Sequence, residues 1–241
     1  DWSQPVIRVQ TNQALFTCDY LLVTFSLGVL KACHRSMFSP CIPHDNALGI
    51  EKVGFGRVAK IYLQYERPFW QPGLLNCMKF YPDKAELASN KNEFVNLVNG
   101  FEEIPTSTNV LVAWVTGSDA VRIEDYCKER LSERLTDLIR TYTGDPSIPE
   151  PNQLLVSEWN RNRFIRGGYS YPAMATSSRD DFGLIGKPLS INGHERVFFS
   201  GEATHPFYYS TVHGARLTGI QAAEKILQCW LNDHSKYVCN H

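Results

Sequence analysis

The stretch FFSGEATHPFYYSTVHGARLTG, residues 198–219, decides how this chain is read. It leaves the apolar strand RVFF, turns at Gly201, carries an acid at Glu202, passes an aromatic loop and enters a helix near Thr211. That helix continues as ARLTGIQAAEKILQCWL, with Ala215, Ile220, Ala223, Leu227 and Trp230 on roughly one face. A helix N-terminus presents unpaired N–H groups and about half a positive charge, which suits an anion or a ring that gains electron density. Thr211, Val212 and His213 offer those amides, and Gly214 lets another backbone or ring come close. By residue type alone a plainer reading competes: Ser210 or Thr211 as N-cap and Glu202 as a solvated acid.

Working outward, 6–11 (VIRVQT) and 20–26 (YLLVTFS) read as strands, and LGVLKACHRSMFSP leads into a loop bounded by Pro40 and Pro43. A short helix is expected over 46–53, and VAKIYLQYE (58–66) is a clear strand. Further strands are expected at 75–81, 94–98, 110–117 and 154–159. Residues 120–142 carry Val121, Ile123, Tyr126, Leu131, Leu135, Leu138 and Ile139 at helical spacing, and Gly144-Asp145-Pro146 stops that helix. The mixture implies an α+β chain, with an α/β part and substantial mixed sheet.

The charge balance of −1 leaves no footprint for nucleic acid or an anionic membrane surface. No run approaches the roughly 18 apolar residues of a membrane helix. Seven scattered cysteines without a C-x-x-C pair predict reduced thiols and no metal site. The chain opens at Asp1 without methionine and with a strand under way by Val6, so it reads as a piece or a processed product. The cytoplasm is the default location, since YVCNH is no peroxisomal S-K-L address.

The string GEATHPFYYSTVHGARLTG closely resembles the C-terminal flavin motif of the flavin-containing amine oxidases, in the spermine oxidase and acetylpolyamine oxidase branch. VTFSLGVLK (23–31), GFGRVAKIYLQYERPFW (54–70), AWVTGSDA (113–120) and WNRNRFIRGGYSY (159–171) match the same family in the same order. The resemblance implies two interleaved domains, with 1–38 and 195–241 in a domain that binds FAD non-covalently and 39–194 in the substrate domain. The family's G-x-G-x-x-G turn for the pyrophosphate would precede Asp1. GFG (54–56) lies before a substrate-domain strand and is read as a decoy. The resemblance implies oxidation of spermine or an acetylated polyamine with dioxygen as acceptor, and the N-terminal half is expected as part of the same protein or as a partner in trans.

The resemblance also assigns residues. Lys60 holds the place of the lysine that reaches the reactive flavin nitrogen through a water. Trp159 and Tyr169 match aromatics beside the flavin ring, Tyr169 forming one wall of the amine's approach. Glu202 matches the acid on the ribityl chain, and Thr211 and Val212 the helix start at the pyrimidine edge. Ser210 and Thr211 border the substrate channel. Lys60, Tyr169 and Thr211 are therefore the catalytic candidates. Alternation places Lys60, Tyr62 and Gln64 on one face of a strand, so an outward lysine is the competing reading. His205 and His213 are weaker candidates, and Arg216 departs from the apolar residue usual in relatives. Two rival readings stand: a histone lysine demethylase-like oxidase, which shares the lysine and the TVHGA helix, and a catalytically inert chain.

Overall fold

The computed structural model describes residues 1–71, 78–79, 97–98, 100–174 and 178–238. In chain order come β1 (Ile7–Gln10), β2 (Leu15–Cys18), β3 (Leu21–Val23), α1 (Leu27–Met37), α2 (His44–Lys52), β4 (Gly54–Phe55) and β5 (Val58–Gln64). The middle holds β6 (Met78–Lys79), β7 (Gly100–Glu103), β8 (Val110–Thr116), α3 (Ser118–Glu124), α4 (Lys128–Thr143) and β9 (Gln153–Val156). The chain continues with β10 (Ser170–Tyr171), α5 (Arg179–Ile185), β11 (Leu189–Ile191), β12 (His194–Phe199) and α6 (Val212–Val238). Packing divides them into two units, Asp1–Gly56 with Arg163–His241, and Arg57–Asn162. The expected division into a flavin part and a substrate part concerns ligands and remains a proposal.

The first unit is built on a three-stranded sheet, ordered β11-β12-β3, with β12 antiparallel to β11 and parallel to β3. Val23, Leu27, Ile50, Phe182, Val197 and Phe199 are among the apolar side chains packed in its core. Ser26 starts α1 by accepting the Val29 N–H on its hydroxyl, the ordinary duty of a serine N-cap. Lys31, in the segment VTFSLGVLK, donates to the Ile50 and Glu51 carbonyls at 2.6 and 3.0 Å and so closes the C-terminal end of α2. A capping box of Ser178 and Asp181 begins α5.

The second unit carries an antiparallel sheet ordered β6-β7-β8-β5-β9. Along β5, Ala59, Ile61 and Leu63 are buried against Leu131, Leu135 and Leu138 of α4, while Lys60 and Tyr62 on the other face are half-buried. Burying an apolar side chain such as Leu135 fully contributes about 1.5–3 kcal/mol, so this face holds the unit together.

The helix expected over 120–142 is two helices. Asp125 ends α3, and Cys127, in extended conformation, starts α4 with its thiol hydrogen-bonded to Glu129. Glu124 explains the break. It is nearly buried and accepts from Asn160 N–H at 3.0 Å, Asn160 Nδ2 at 2.7 Å and Arg161 N–H at 3.1 Å. Nothing in the helical spacing reveals that anchor. Of the strands expected at 75–81 and 94–98, only Met78–Lys79 is observed as β6; the remainder falls mostly outside the described residues. The strands β1, β3, β5, β8 and β9 lie where expected, whereas β2 and α1 were not foreseen. Among the described residues no helix is long and apolar enough to cross a membrane.

Candidate functional site

In the first unit the parallel strands β3 and β12 end side by side, and a cavity of about 310 Å³ opens beyond their carboxyl ends. Thr24, Ser26, Phe55, Gly201 and Glu202 help line it. Ligands of open α/β sheets bind at such strand ends, where loops and helix N-termini supply free N–H groups. Here the start of α1 borders the cavity through Ser26 and Leu27. The volume suits one portion of a flavin, and the lining mixes apolar walls with hydroxyl, backbone and carboxylate groups. These residues therefore fit the group.

Glu202 is not a solvated acid. Its carboxylate accepts from the Ser170 N–H at 3.2 Å, from the Ser170 hydroxyl, and from the Ser210 N–H at 2.6 Å. Ser170 is fully buried, and Ser210 stands at φ 63°, a conformation uncommon for a residue with a side chain. Glu202 thus clasps β10 to the turn that leads into α6, and Ser210 returns its hydroxyl to the Ser170 carbonyl. A carboxylate offers about four lone-pair sites. With the Ser170 N–H also within 3.4 Å of the second oxygen, four contacts meet those sites.

At the start of α6, the Thr211 hydroxyl donates to the Tyr208 carbonyl at 2.6 Å and accepts the Gly214 N–H at 3.1 Å. Val212, next in the chain, is 89% exposed. A β-carbon on Gly214 would lie 1.9 Å from the Tyr208 carbonyl oxygen, so glycine is required there. His205 is buried and accepts the Phe207 and Tyr208 N–H groups on Nδ1 at 3.2 and 2.9 Å, which gives it a structural duty in the aromatic loop. His213 and Arg216 are exposed.

Tyr169 is 41% exposed, and its carbonyl accepts the Gly56 N–H at 2.7 Å. The segment GFG is the partner of the RGGYSY turn: β4 pairs with β10, and the Tyr171 ring lies so close to Gly54 that a β-carbon would stand 2.5 Å from it. The structure thus brings Tyr169, Glu202, Ser210, Thr211 and Val212 into one unit.

Lys60 and Trp159 belong to the second unit. The Lys60 Nζ sits 4.1 Å from the centroid of the Trp114 ring and 5.3 Å from that of Trp159. Ser157 ties this corner, accepting the Lys60 N–H at 2.9 Å and donating its own N–H to the Lys60 carbonyl at 2.9 Å. Asn160, next to Trp159, also donates to the Val58 carbonyl at 3.0 Å. Sequence reasoning missed Trp114, Glu124, Asn160 and Ser170. All except Glu124 stand inside the family-like segments, but nothing in their spacing sets structural from chemical duty.

A sequence model of the family described as flavin containing amine oxidoreductase matches residues 1–227. Over 236 residues the chain is 34% identical to a peroxisomal N(1)-acetyl-spermine/spermidine oxidase of Bos taurus, covering 94% of this chain and 46% of that protein. It is 30% identical over 240 residues to a possible lysine-specific histone demethylase 1 of Drosophila melanogaster, covering 93% of this chain and 26% of the relative. The chain therefore spans about half the length or less of these relatives. The solved cyclohexylamine oxidase from Brevibacterium oxydans superposes with a TM-score of 0.66 at 18% identity, over 95% of this chain and 46% of that one, and so shares the fold. The chain belongs to the family of flavin-containing amine oxidoreductases.

Proposed function

We propose that this chain forms part of a polyamine oxidase that binds FAD non-covalently and oxidises spermine or an acetylated polyamine, with release of hydrogen peroxide. The observation that carries this reading is the 34% identity, over nearly the whole chain, to acetylated-polyamine oxidases. When bound, a flavin supplies two-electron oxidation of an amine, with dioxygen as the final acceptor.

The chain's own residues bind, orient and handle protons. The N–H groups at the starts of α1 and α6 face an electron-rich ligand as fixed dipoles, and the Glu202 clasp fixes the turn that leads into α6. Tyr169 offers an exposed ring face for the aliphatic amine and its cationic parts. Lys60 presents N–H donors at Nζ, able to hold a water and pass a proton to it, and would thereby assist flavin reoxidation. The reacting amine must lose its own proton before its α-carbon can give up a hydride, so the rate rises with pH through the bound amine's pKa. The imine product is then hydrolysed to an aldehyde and a shorter amine.

A second reading, oxidation of methylated lysine in a protein tail, is favoured by demethylase-named relatives at 30–33% identity. Peroxide release separates the two. The purified intact protein is expected to be yellow and to release peroxide with spermine or N1-acetylspermine and not with a methyl-lysine peptide. Turnover of the peptide alone would overturn the polyamine reading, and a colourless protein unable to take up flavin would overturn both.

A further inference from the structure

We propose that Trp114 is a positioning residue for Lys60: its indole face holds the lysine ammonium, and Glu102 fixes the indole edge. The inference rests on the reading of Lys60 as a residue of the reaction, and it assigns a duty to a tryptophan outside the residues expected at the site.

Lys60 of β5 and Trp114 of β8 are direct cross-strand partners, and such pairs bring side chains of one sheet face into contact. The Lys60 Nζ lies 4.1 Å from the Trp114 ring centroid, well within the range of a cation–π contact. Trp159 supplies a second ring at 5.3 Å. The Trp114 indole N–H donates to Glu102 at 3.2 Å. Glu102 sits on β7 opposite Val112, two residues along β8 from Trp114, and is thus its diagonal neighbour. Among the described residues no carboxylate forms an ion pair with Lys60.

The arrangement has a clear physical consequence. A lysine stem has four rotatable carbons and an ammonium without directional shape, so an unrestrained Nζ samples many positions. A carboxylate partner would fix it but would occupy its N–H donors. Ring faces attract the charge without accepting hydrogen bonds in the ordinary sense, so the N–H groups stay available to a water. Trp114 is also not a core residue. It is 37% exposed, while its neighbours Ala113 and Val115 pack into the core on the opposite face of the sheet. Its replacement therefore removes the contact without opening a cavity.

The test uses the intact flavin-bound protein carrying ¹³C-labelled lysine, with the Lys60 Cε–Hε signal assigned by its loss in Lys60→Arg. Two indoles close to the ammonium shift that signal upfield by their ring currents. Trp114→Leu is expected to return it most of the way to the ordinary lysine position, and Trp114→Phe, which keeps a ring, to retain most of the shift. In rapid-mixing experiments Trp114→Leu is expected to slow flavin reoxidation about two- to fivefold, the factor for one exposed cation–π contact. Trp114→Phe should stay within about twofold of the wild type, and anaerobic reduction by the amine should be unchanged in both. A Lys60 signal unmoved by Trp114→Leu overturns the proposal, as does equal slowing by Leu and Phe. If no amine reduces the flavin, the polyamine oxidase reading fails, while the lysine signal still decides the contact.

Discussion

Replacing Glu202 separates a structural clasp from a simple cofactor contact. Glu202→Ala removes the acceptor for the Ser170 N–H, the Ser170 hydroxyl and the Ser210 N–H. Ser170 is fully buried, so its two donors have nowhere else to turn, whereas Ser210 is only partly covered and water can replace its partner. A buried donor left without an acceptor costs about 1–3 kcal/mol. Because the vacated space beside the cavity admits water, the lower half of that range applies to each, giving about 2–4 kcal/mol in all. For a chain of this length that lowers the melting temperature by roughly 4–16 °C. Glu202→Gln keeps one acceptor and turns an amide N–H₂ toward the remaining donors, so about half the loss is expected. The assay is thermal unfolding of the flavin-free protein, where no contact with the cofactor can contribute. If Glu202 served only the ribityl chain, the flavin-free variants would melt within about 1 °C of the wild type and only flavin retention would fall. That result would refute the clasp.

Other consequences can be read in the same way. Gly214→Ala places a β-carbon 1.9 Å from the Tyr208 carbonyl oxygen, and the start of α6 must shift. A loss of about 3 kcal/mol or more is expected, and wild-type melting would show that the loop yields freely. Glu124→Ala strips the acceptor from the turn at Asn160 and Arg161 and should cost about 2–3 kcal/mol in urea unfolding, with Glu124→Gln costing less. Burial, and then the hydrogen bond to Asp233, push the Tyr20 hydroxyl up to about 12 from an ordinary 10.0. A raised folded-state pKa gives stability that is full below 10.0 and fades as pH climbs toward about 12. The hydrogen bond from Tyr20, and then the Arg196 guanidinium, hold the Asp233 carboxyl below its ordinary 3.8, so its contribution is present above that pH and is lost as pH falls further. Tyr20→Phe should remove one tyrosine from the late rise in an ultraviolet tyrosinate titration, leaving Tyr65, whose hydroxyl burial also pushes up, and should reduce the alkaline fall in stability; an unchanged titration would contradict the Tyr20–Asp233 pairing.

The sequence showed its fold most clearly where pattern and burial coincide. The alternation in β5 is real: Ala59, Ile61 and Leu63 form core while Lys60 and Tyr62 share the other face, as their spacing requires. The same alternation allowed an outward, solvated Lys60, and only the cross-strand position of Trp114 shows what receives it. Periodicity failed at Asp125–Cys127 because α3 and α4 both carry apolar residues at helical spacing. The break is dictated by Glu124 reaching a turn some 36 residues further on. The four-residue strand β2 pairs with β1 through exposed residues such as Leu15 and Phe16, so burial leaves no mark on its composition. At the site, Gly214 was legible as a place of close approach, but the Tyr208 carbonyl that approaches it was not; Gly54, in the GFG read as a decoy, meets the Tyr171 ring, which nothing in the spacing showed.

The residues that resemble a flavin site fall into two kinds, and the difference explains why family-like strings can be read as chemistry when half of their members serve structure. Glu202, Ser210 and His205 spend polar side-chain atoms on backbone groups of the surrounding loops, and Ser170 gives its hydroxyl to Glu202. They fix amides in place before any ligand arrives, which is what a site built on fixed dipoles requires. Lys60 is of the other kind. Its backbone is tied to Ser157 on both sides, yet its ammonium is met by ring faces. A charge held that way keeps its hydrogen-bonding capacity, and the proton-handling role proposed for Lys60 needs that capacity more than it needs a strong partner. The substitution that tests the distinction most directly is Lys60→Met, which retains the stem and the packing against both indoles. Thermal stability is expected to stay within about 0.5 kcal/mol of the wild type, as for a surface change, while turnover falls by at least tenfold. A matched loss of stability would place Lys60 with Glu202 among the residues that build the site.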